Sequence, residues 1–274
     1  MSQSLPLSPQ VFAILSALVE ERTGLHYDLN ELALFAERVS GRATERGYES
    51  LLDYYYFLRY DDAADAELAL LVEALVVNET YFFRELSPLK VVVSELLPPL
   101  LARGIRPRIW CAACSSGEEP LTLAMLLDEA NILDQVTIVA SDISARVLAH
   151  AQAGVYRRRS LRSLPPGVVG RWLEGDEEGM RIAAHIARAV SWRRINLVDE
   201  RDLLELGKFD IIICRNVLIY FQDQTIEKVV AGFWRRLEPD GHLVVGASES
   251  LLRFKVPFAC HEQGGAFFYR KMPQ

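Results

Sequence analysis

A chain of 274 residues, half of them hydrophobic, is long enough for one large domain or two smaller ones and can readily bury a core. Its net charge of −7 argues against the broad basic face that general nucleic-acid binding needs, and no apolar stretch is long enough and free enough of charge to cross a membrane. The opening MSQSLPLSPQ has no basic segment followed by an apolar one, so no secretory leader is read and a soluble cytosolic protein is expected.

The first 77 residues predict a small bundle of helices. Ser8–Pro9 is a cap followed by a first-turn proline; Phe12, Leu15 and Val19 follow at helical spacing, and Gly24 is the stop. Leu32, Phe35 and Val39 mark a second helix, ending before Gly41 or continuing to Gly47. A third is expected over residues 50–59 and a fourth over 66–77.

From residue 88 onward, continuous apolar strands alternate with helices. The strands are RIWCAAC (108–114), VTIVASD (136–142), FDIIICRN (209–216) and GHLVVGAS (241–248), the last after a Pro-Asp-Gly turn. The helices are PLTLAMLLDEA, ISARVLAHAQAG and residues 223–237. This alternation predicts a mainly parallel α/β sheet covered on both faces. From Pro257, the segment ending in AFFYRK closes it as an antiparallel hairpin. Between Gly154 and Ser191 the alternation fails, which predicts an inserted subdomain of short strands with a turn at Glu174–Gly179.

Cys111 and Cys114 form a C-x-x-C, but no second Cys or His pair stands at zinc-binding spacing and the following helix begins several residues later. Small residues packed beside a loop are expected, with no metal. Residues 1–90 carry seven Lys/Arg against fifteen Asp/Glu, a net of −8, whereas 143–198 hold ten Arg against four acids, a net of +6. That local basic patch is suited to an acidic partner.

In an open α/β sheet, ligands bind beyond the carboxyl ends of the strands. The first strand runs into Ala112-Ala113-Cys114-Ser115-Ser116-Gly117-Glu118-Glu119, whose small residues let a ligand approach the backbone. The second ends in Asp142, 24 residues after Glu118, where an acid is placed to bond ribose hydroxyls. The loop has one glycine and two carboxylates where a dinucleotide loop would offer bare amides, so it repels pyrophosphate. It suits a nucleoside that carries a cation, such as S-adenosylmethionine (SAM). NETYFFRE (78–85) sets three aromatic rings among Asn78, Glu79, Thr80, Arg84 and Glu85, polar chemistry that core packing alone does not need.

NETYFFRE, WCAACSSGEEP, ASDIS, RRINL, CRNVLIYF and the Pro-Asp-Gly-His-Leu turn-strand, in this order over nearly the whole chain, resemble the CheR-type chemoreceptor glutamate O-methyltransferases. The resemblance implies a Rossmann-like SAM-dependent methyltransferase domain over 91–274, with a small inserted β-subdomain at 155–190. An N-terminal helical domain over 1–77 is joined to it by an interdomain segment, 78–90. Asn78, Thr80 and Arg84 then reach the cofactor, with the aromatic rings wedged between the domains. Glu118 or Glu119 takes the methionyl end and Asp142 the ribose. Asn196–Leu197 and Asn216–Val217 flank the adenine and methionine moieties, and Arg84 and Tyr220 lie nearest the transferring methyl group.

The implied reaction is attack of a glutamate carboxylate on the sulfonium methyl, which gives a methyl ester and S-adenosylhomocysteine. A carboxylate is already ionised at neutral pH, so no base is required. This fits the lack of any motif around His26, His150, His185, His242 and His261. The resemblance implies docking on the helical cytoplasmic part of a chemoreceptor. The candidate surfaces are Arg38, Arg42 and Arg46 at four-residue spacing, or Arg157, Arg158, Arg159 and Arg162. A monomer is expected, and the short acidic turn at 174–179 favours an enzyme that needs no receptor tether peptide. The competing readings are a SAM-binding signalling or scaffold module of the same family and a same-fold methyltransferase acting on another substrate.

Overall fold

Ser8 opens the first helix, α1 (Pro9–Thr23), by accepting the Val11 amide at 3.2 Å, and left-handed Gly24 (φ 81°) closes it. The computed structural model describes residues 5–176, 178–264 and 266–272. They form two units: residues up to Val77 together with Tyr220–Ile226, and Asn78–Ile219 together with the remainder from Glu227.

In the first unit α1 is followed by α2 (Leu32–Glu45), α3 (Leu51–Tyr60) and α4 (Ala64–Leu75). The second helix runs through Gly41 and stops only before left-handed Gly47 (φ 87°). A mid-helix glycine costs about 1 kcal/mol, which the burial of Phe35, Val39 and Ala43 on the same helix outweighs. The fourth helix starts at Ala64, earlier than the apolar pattern suggests, because the Asp61 carboxylate accepts the Ala63 amide at 2.8 Å. Phe12, Phe35 and Tyr27 centre the core, with ring separations of 5.3 and 4.9 Å.

The second unit begins with α5 (Leu86–Val91), a π turn (Val92–Leu96) and α6 (Leu97–Ala102). Pro98 and Pro99 have no N–H to donate, and the helix loosens just ahead of them. Then follow β1 (Arg108–Ala112), α7 (Glu118–Glu129), β2 (Thr137–Asp142), α8 (Ala145–Ala153), β3 (Val155–Tyr156), β4 (Leu173–Asp176), β5 (Gly179–Ile182), α9 (Ala184–Arg188), β6 (Val190–Arg194), α10 (Glu200–Leu204), β7 (Phe209–Cys214), α11 (Asp223–Arg236), β8 (Leu237–Val245), β9 (Phe258–Gln263) and β10 (Ala266–Lys271). Seven strands form one sheet in the order β6-β2-β1-β7-β8-β10-β9, parallel except at β10, which pairs antiparallel with β8 and β9. The order reverses at β1, so the crevice between the ends of β1 and β7 is the switch point.

Two features depart from the sequence expectation. The edge strand β6 was not anticipated, because only Val190 in it is buried and no apolar run marks it. The Pro-Asp-Gly segment is not a turn ahead of β8 but a bulge inside it: Leu237 pairs with Phe209, the register shifts, and Asp240 takes a φ of 61°. Two rings of NETYFFRE pack within the core of the second unit. Phe82 is fully buried in the core of the second unit, edge-on to Tyr156 at 4.7 Å, and Phe83 packs against that core. Residues 155–182 hold a separate antiparallel sheet, β3-β5-β4; Glu177 of its acidic turn lies outside the described residues.

Candidate active site

Beyond β1 the chain makes a tight loop in which Ala113 (φ 55°), Ser115 (φ 50°) and Gly117 (φ 90°) are all left-handed. A Cβ on Gly117 would lie 2.7 Å from the Trp192 ring and 2.8 Å from the Ala151 Cβ, so glycine is required there. The loop is held from the end of β2. The buried Asp142 accepts the Ser115 amide at 2.8 Å on one oxygen and the Ser144 amide at 3.0 Å on the other. Glu118 is buried at the start of α7, where Oε2 accepts the Ser116 hydroxyl at 2.7 Å. Its Oε1 and the Ser115 Oγ are enclosed with no protein partner among the described residues. Orphaned buried oxygens are costly, and this pair at the switch point is matched to a ligand bearing N–H or O–H donors. That requirement is what an ammonium- and hydroxyl-bearing nucleoside such as SAM meets.

Glu119, the other carboxylate, faces a different neighbour. The Arg215 guanidinium, almost wholly buried, reaches Glu119 at 3.0 Å and Glu85 at 3.0 Å, and also donates to the carbonyls of Arg84 and Glu85. Burial pushes the Glu119 carboxyl up against the pull of Arg215, and Glu249 and Glu85 push in the same direction as burial. At Glu85 burial also pushes up, but Arg215, Asn216 and the Ala247 backbone outweigh it and hold the carboxyl below its ordinary value. Arg215 thereby ties NETYFFRE to the loop beyond β1. Within that segment Phe83 (φ 63°) and Glu85 (φ 44°) are left-handed, and the Phe83 amide donates to the Thr122 hydroxyl at 3.1 Å. Arg84 is half-buried, with one N–H on the Glu79 carbonyl at 3.0 Å. Asn78 and Thr80 are half-buried, and no hydrogen bond of their side chains occurs among the described residues.

Asn216 and Val217 follow β7, with Asn216 left-handed (φ 60°). The buried Glu249 collects the amides of Asn216, Val217 and Leu218 at 2.6, 2.8 and 2.7 Å. Asn196 and Leu197 follow β6. The Asn196 amide donates to Asp202 and its side chain accepts the Val198 amide, so it shapes its own turn, while Leu197 is buried. The structure thus brings the loops carrying Glu118, Glu119, Asp142, Asn196 and Asn216 to the carboxyl ends of adjacent strands, and Arg215 adds the Arg84 segment. Tyr220 groups with the first unit, its carbonyl accepting the His26 amide at 2.9 Å.

Arg215 and Glu249 were not singled out from the sequence, although Arg215 stands inside CRNVLIYF, and Glu85 was read there only as one polar group of NETYFFRE. The C-x-x-C cysteines are buried, and burial pushes both thiols well up. The arginine stripe on α2 needs correction as a docking surface. Arg42 is bonded to the buried Glu67 at 2.8 Å and paired with Glu45, and Arg38 donates to the Leu75 carbonyl at 2.7 Å. Only Arg46 is exposed, over the Phe57 ring. In the other patch Arg159 and Arg162 pair with Glu79, and Arg162 covers the Tyr81 ring at 3.9 Å. Arg157 and Arg158 are exposed.

Residues 78–265 match the family described as CheR methyltransferase, SAM binding domain, and residues 10–76 match the CheR methyltransferase, all-alpha domain. The chain is 34% identical over 244 residues to chemotaxis protein methyltransferase 2 of Vibrio cholerae, covering 87% of this chain and 84% of that one. It is 36% identical over 255 residues to the chemotaxis protein methyltransferase of Vibrio parahaemolyticus, with 90% and 92% covered. With chemotaxis protein methyltransferase 1 of Pseudomonas aeruginosa it shares 33% over 250 residues, with 88% and 90% covered. Sheet order, crevice and these likenesses agree: the chain belongs to the CheR methyltransferase family and carries that family's all-alpha and SAM-binding domains.

Proposed function

We propose that this protein transfers the methyl group of SAM to glutamate side chains in the cytoplasmic helical region of a chemoreceptor, forming methyl esters. The observation that carries the reading is the chemistry of the crevice. Its first loop offers the unpartnered Glu118 Oε1 and Ser115 Oγ, backed by carboxylates, where a phosphate-binding loop would offer free amides. Acceptors of this kind favour an ammonium and a sulfonium. The relatives' names, chemotaxis protein methyltransferases, support the receptor as substrate.

Glu118 then receives the methionyl ammonium, since Glu119 is engaged with Arg215. Asp142, which holds the Ser115 and Ser144 amides at the end of β2, is assigned the ribose. Asn196–Leu197 and Asn216–Val217 flank the rest of the cofactor, and Asn78 and Thr80 contribute the half-buried polar groups of their segment. When bound, the cofactor supplies an electrophilic methyl group on a positively charged sulfur.

The incoming glutamate is ionised at neutral pH, so the protein's task is alignment and exclusion of water. Arg84 orients that carboxylate with the N–H groups that Glu79 leaves over. A single contact is favoured, because a bidentate clamp would stabilise the ground state as much as the transition state. Arg157 and Arg158 provide the charge for receptor docking, in place of the engaged Arg38 and Arg42. No helix of the described residues is long and apolar enough to cross a membrane; we place the reaction in the cytoplasm, on a single copy of the chain.

The test is incubation with methyl-labelled SAM and a receptor cytoplasmic fragment. Label released as methanol by mild alkali is the expected result; alkali-stable label would assign the chain another acceptor.

A further inference from the structure

The loop after β7 and the end of β8 together enclose an anion hole that the protein fills with its own carboxylate. Glu249 Oε2 accepts the amides of Asn216 and Gly246 at 2.6 and 2.7 Å. Oε1 accepts those of Val217 and Leu218 at 2.8 and 2.7 Å, with Ile219 at 3.4 Å. Successive backbone amides that converge on one point form a nest, a concavity that in other proteins receives phosphate. Two observations show that the nest is closed around this side chain. Glu249 is only 5% exposed, and a Cβ on Gly246 would lie 2.6 Å from Glu249 Oε2 and 3.0 Å from Asn216 Nδ2.

Such an arrangement has a directional consequence. Amides turned inward to Glu249 are withdrawn from any ligand, and the Asn216 side chain donates to the Glu85 carboxylate at 3.4 Å. An occupied nest has no vacancy for phosphate. Glu85 and Glu119 add two more carboxylates against the single Arg215, and Glu249 and Glu85 both bear on Glu119.

We propose that Glu249 is a positioning and cofactor-selecting residue: it fills the amide nest of the loop after β7, fixes Asn216 and Val217 in their cofactor-binding turn, and biases the site towards a cationic nucleoside and against phosphate-bearing nucleotides. The proposal rests on the assignment of Asn216–Val217 to the cofactor site.

Calorimetry of SAM binding to the full-length protein tests it with Glu249→Gln, Glu249→Ala and Asn216→Ala. A glutamine has one acceptor oxygen and an NH2 donor where the carboxylate's two oxygens accept five backbone amides, so Glu249→Gln loses about tenfold or more in affinity. Glu249→Ala loses at least as much, and millimolar sodium formate restores most of the loss, whereas sodium chloride at the same ionic strength does not. Wild-type affinity in Glu249→Gln overturns the proposal. So does formate that raises the melting temperature of Glu249→Ala without restoring affinity, since that is the behaviour of a purely structural residue. Should Glu249→Ala not fold, Glu249→Asp decides: the shorter carboxylate retains affinity that Gln loses, and equal affinities overturn the role. Unchanged binding in Asn216→Ala, with Glu249→Gln impaired, would instead remove the loop from the cofactor site.

Discussion

At the scale of single residues the site divides into groups that shape the loops and groups left to meet a ligand. Asp142 shapes its loop, each oxygen holding a loop amide, and is the group we assign to the ribose. Asp142→Ala therefore removes a ribose contact and loosens the Ser115 turn, and SAM affinity should fall by roughly 1.5–3 kcal/mol, read by calorimetry. Arg84 keeps donors beyond the one on Glu79, and Arg84→Ala should lower kcat by about ten- to a hundredfold with little change in melting temperature. Equal turnover on a receptor fragment would remove Arg84 from the reaction. The position of Asp142 was legible in the sequence, because a local pattern marks an acid at the end of the second strand. Arg215 and Glu249 were not. Arg215 finds Glu85 and Glu119 at sequence separations of 130 and 96, and Glu249 finds its amides about thirty residues upstream. Only the fold brings such partners together.

The elements repeat this contrast between local and distant causes. Caps and apolar periodicity placed the first four helices and the strands β1, β2 and β7 to within a few residues, because those signals act within one turn or one strand. The π turn before Pro98, the bulge at Asp240 and the polar edge strand β6 answer to hydrogen-bond geometry or to a neighbouring strand, and no apolar pattern marks them. Helix α2 shows how spacing can mislead. Arg38, Arg42 and Arg46 share a four-residue period, yet Arg42 is fixed by Glu67, which also accepts the Tyr54 hydroxyl at 2.8 Å. Arg42→Ala strands the buried Glu67 carboxylate and should cost about 2–4 kcal/mol in chemical denaturation. A drop below about 0.5 kcal/mol, the size expected at an ordinary surface site, would mean the pair is solvated. In the loop beyond β1, Gly117→Ala would force a methyl group into Trp192 and strain a φ of 90°. It should weaken SAM binding and lower the melting temperature together, because one loop conformation serves both.

For the molecule as a whole, charge decides two behaviours. Burial, then the nearby His261 and Arg270, push the His242 imidazole down to about 4. An unfolded histidine titrates near 6.5, so the native state binds fewer protons between those values. The contribution of His242 is whole above about pH 6.5 and is lost as pH falls towards 4, by up to about 3 kcal/mol. His26 acts in the opposite sense: burial lowers it, but Glu20 and Asp28 outweigh that and raise it. The decisive quantity is thus the difference between wild type and His242→Gln, whose urea stability should fall less steeply from pH 7 to pH 5; parallel curves would place the acid sensitivity elsewhere. The second behaviour is encounter with the receptor. The first 90 residues carry a net −8 and residues 143–198 a net +6, a balance that suits the proposal that an acidic helical partner docks on the latter. Within that stretch Arg159 and Arg162 are held by Glu79, which leaves the exposed Arg157 and Arg158 for docking. Exposed pairs contribute roughly 0.2–1 kcal/mol each and are screened by salt. Replacing both by Ala should raise the receptor concentration for half-maximal rate by roughly two- to thirtyfold at low salt, flatten its salt dependence and leave SAM affinity unchanged. Wild-type kinetics in that double variant, with its loss in Arg46→Ala instead, would move docking to the exposed end of α2.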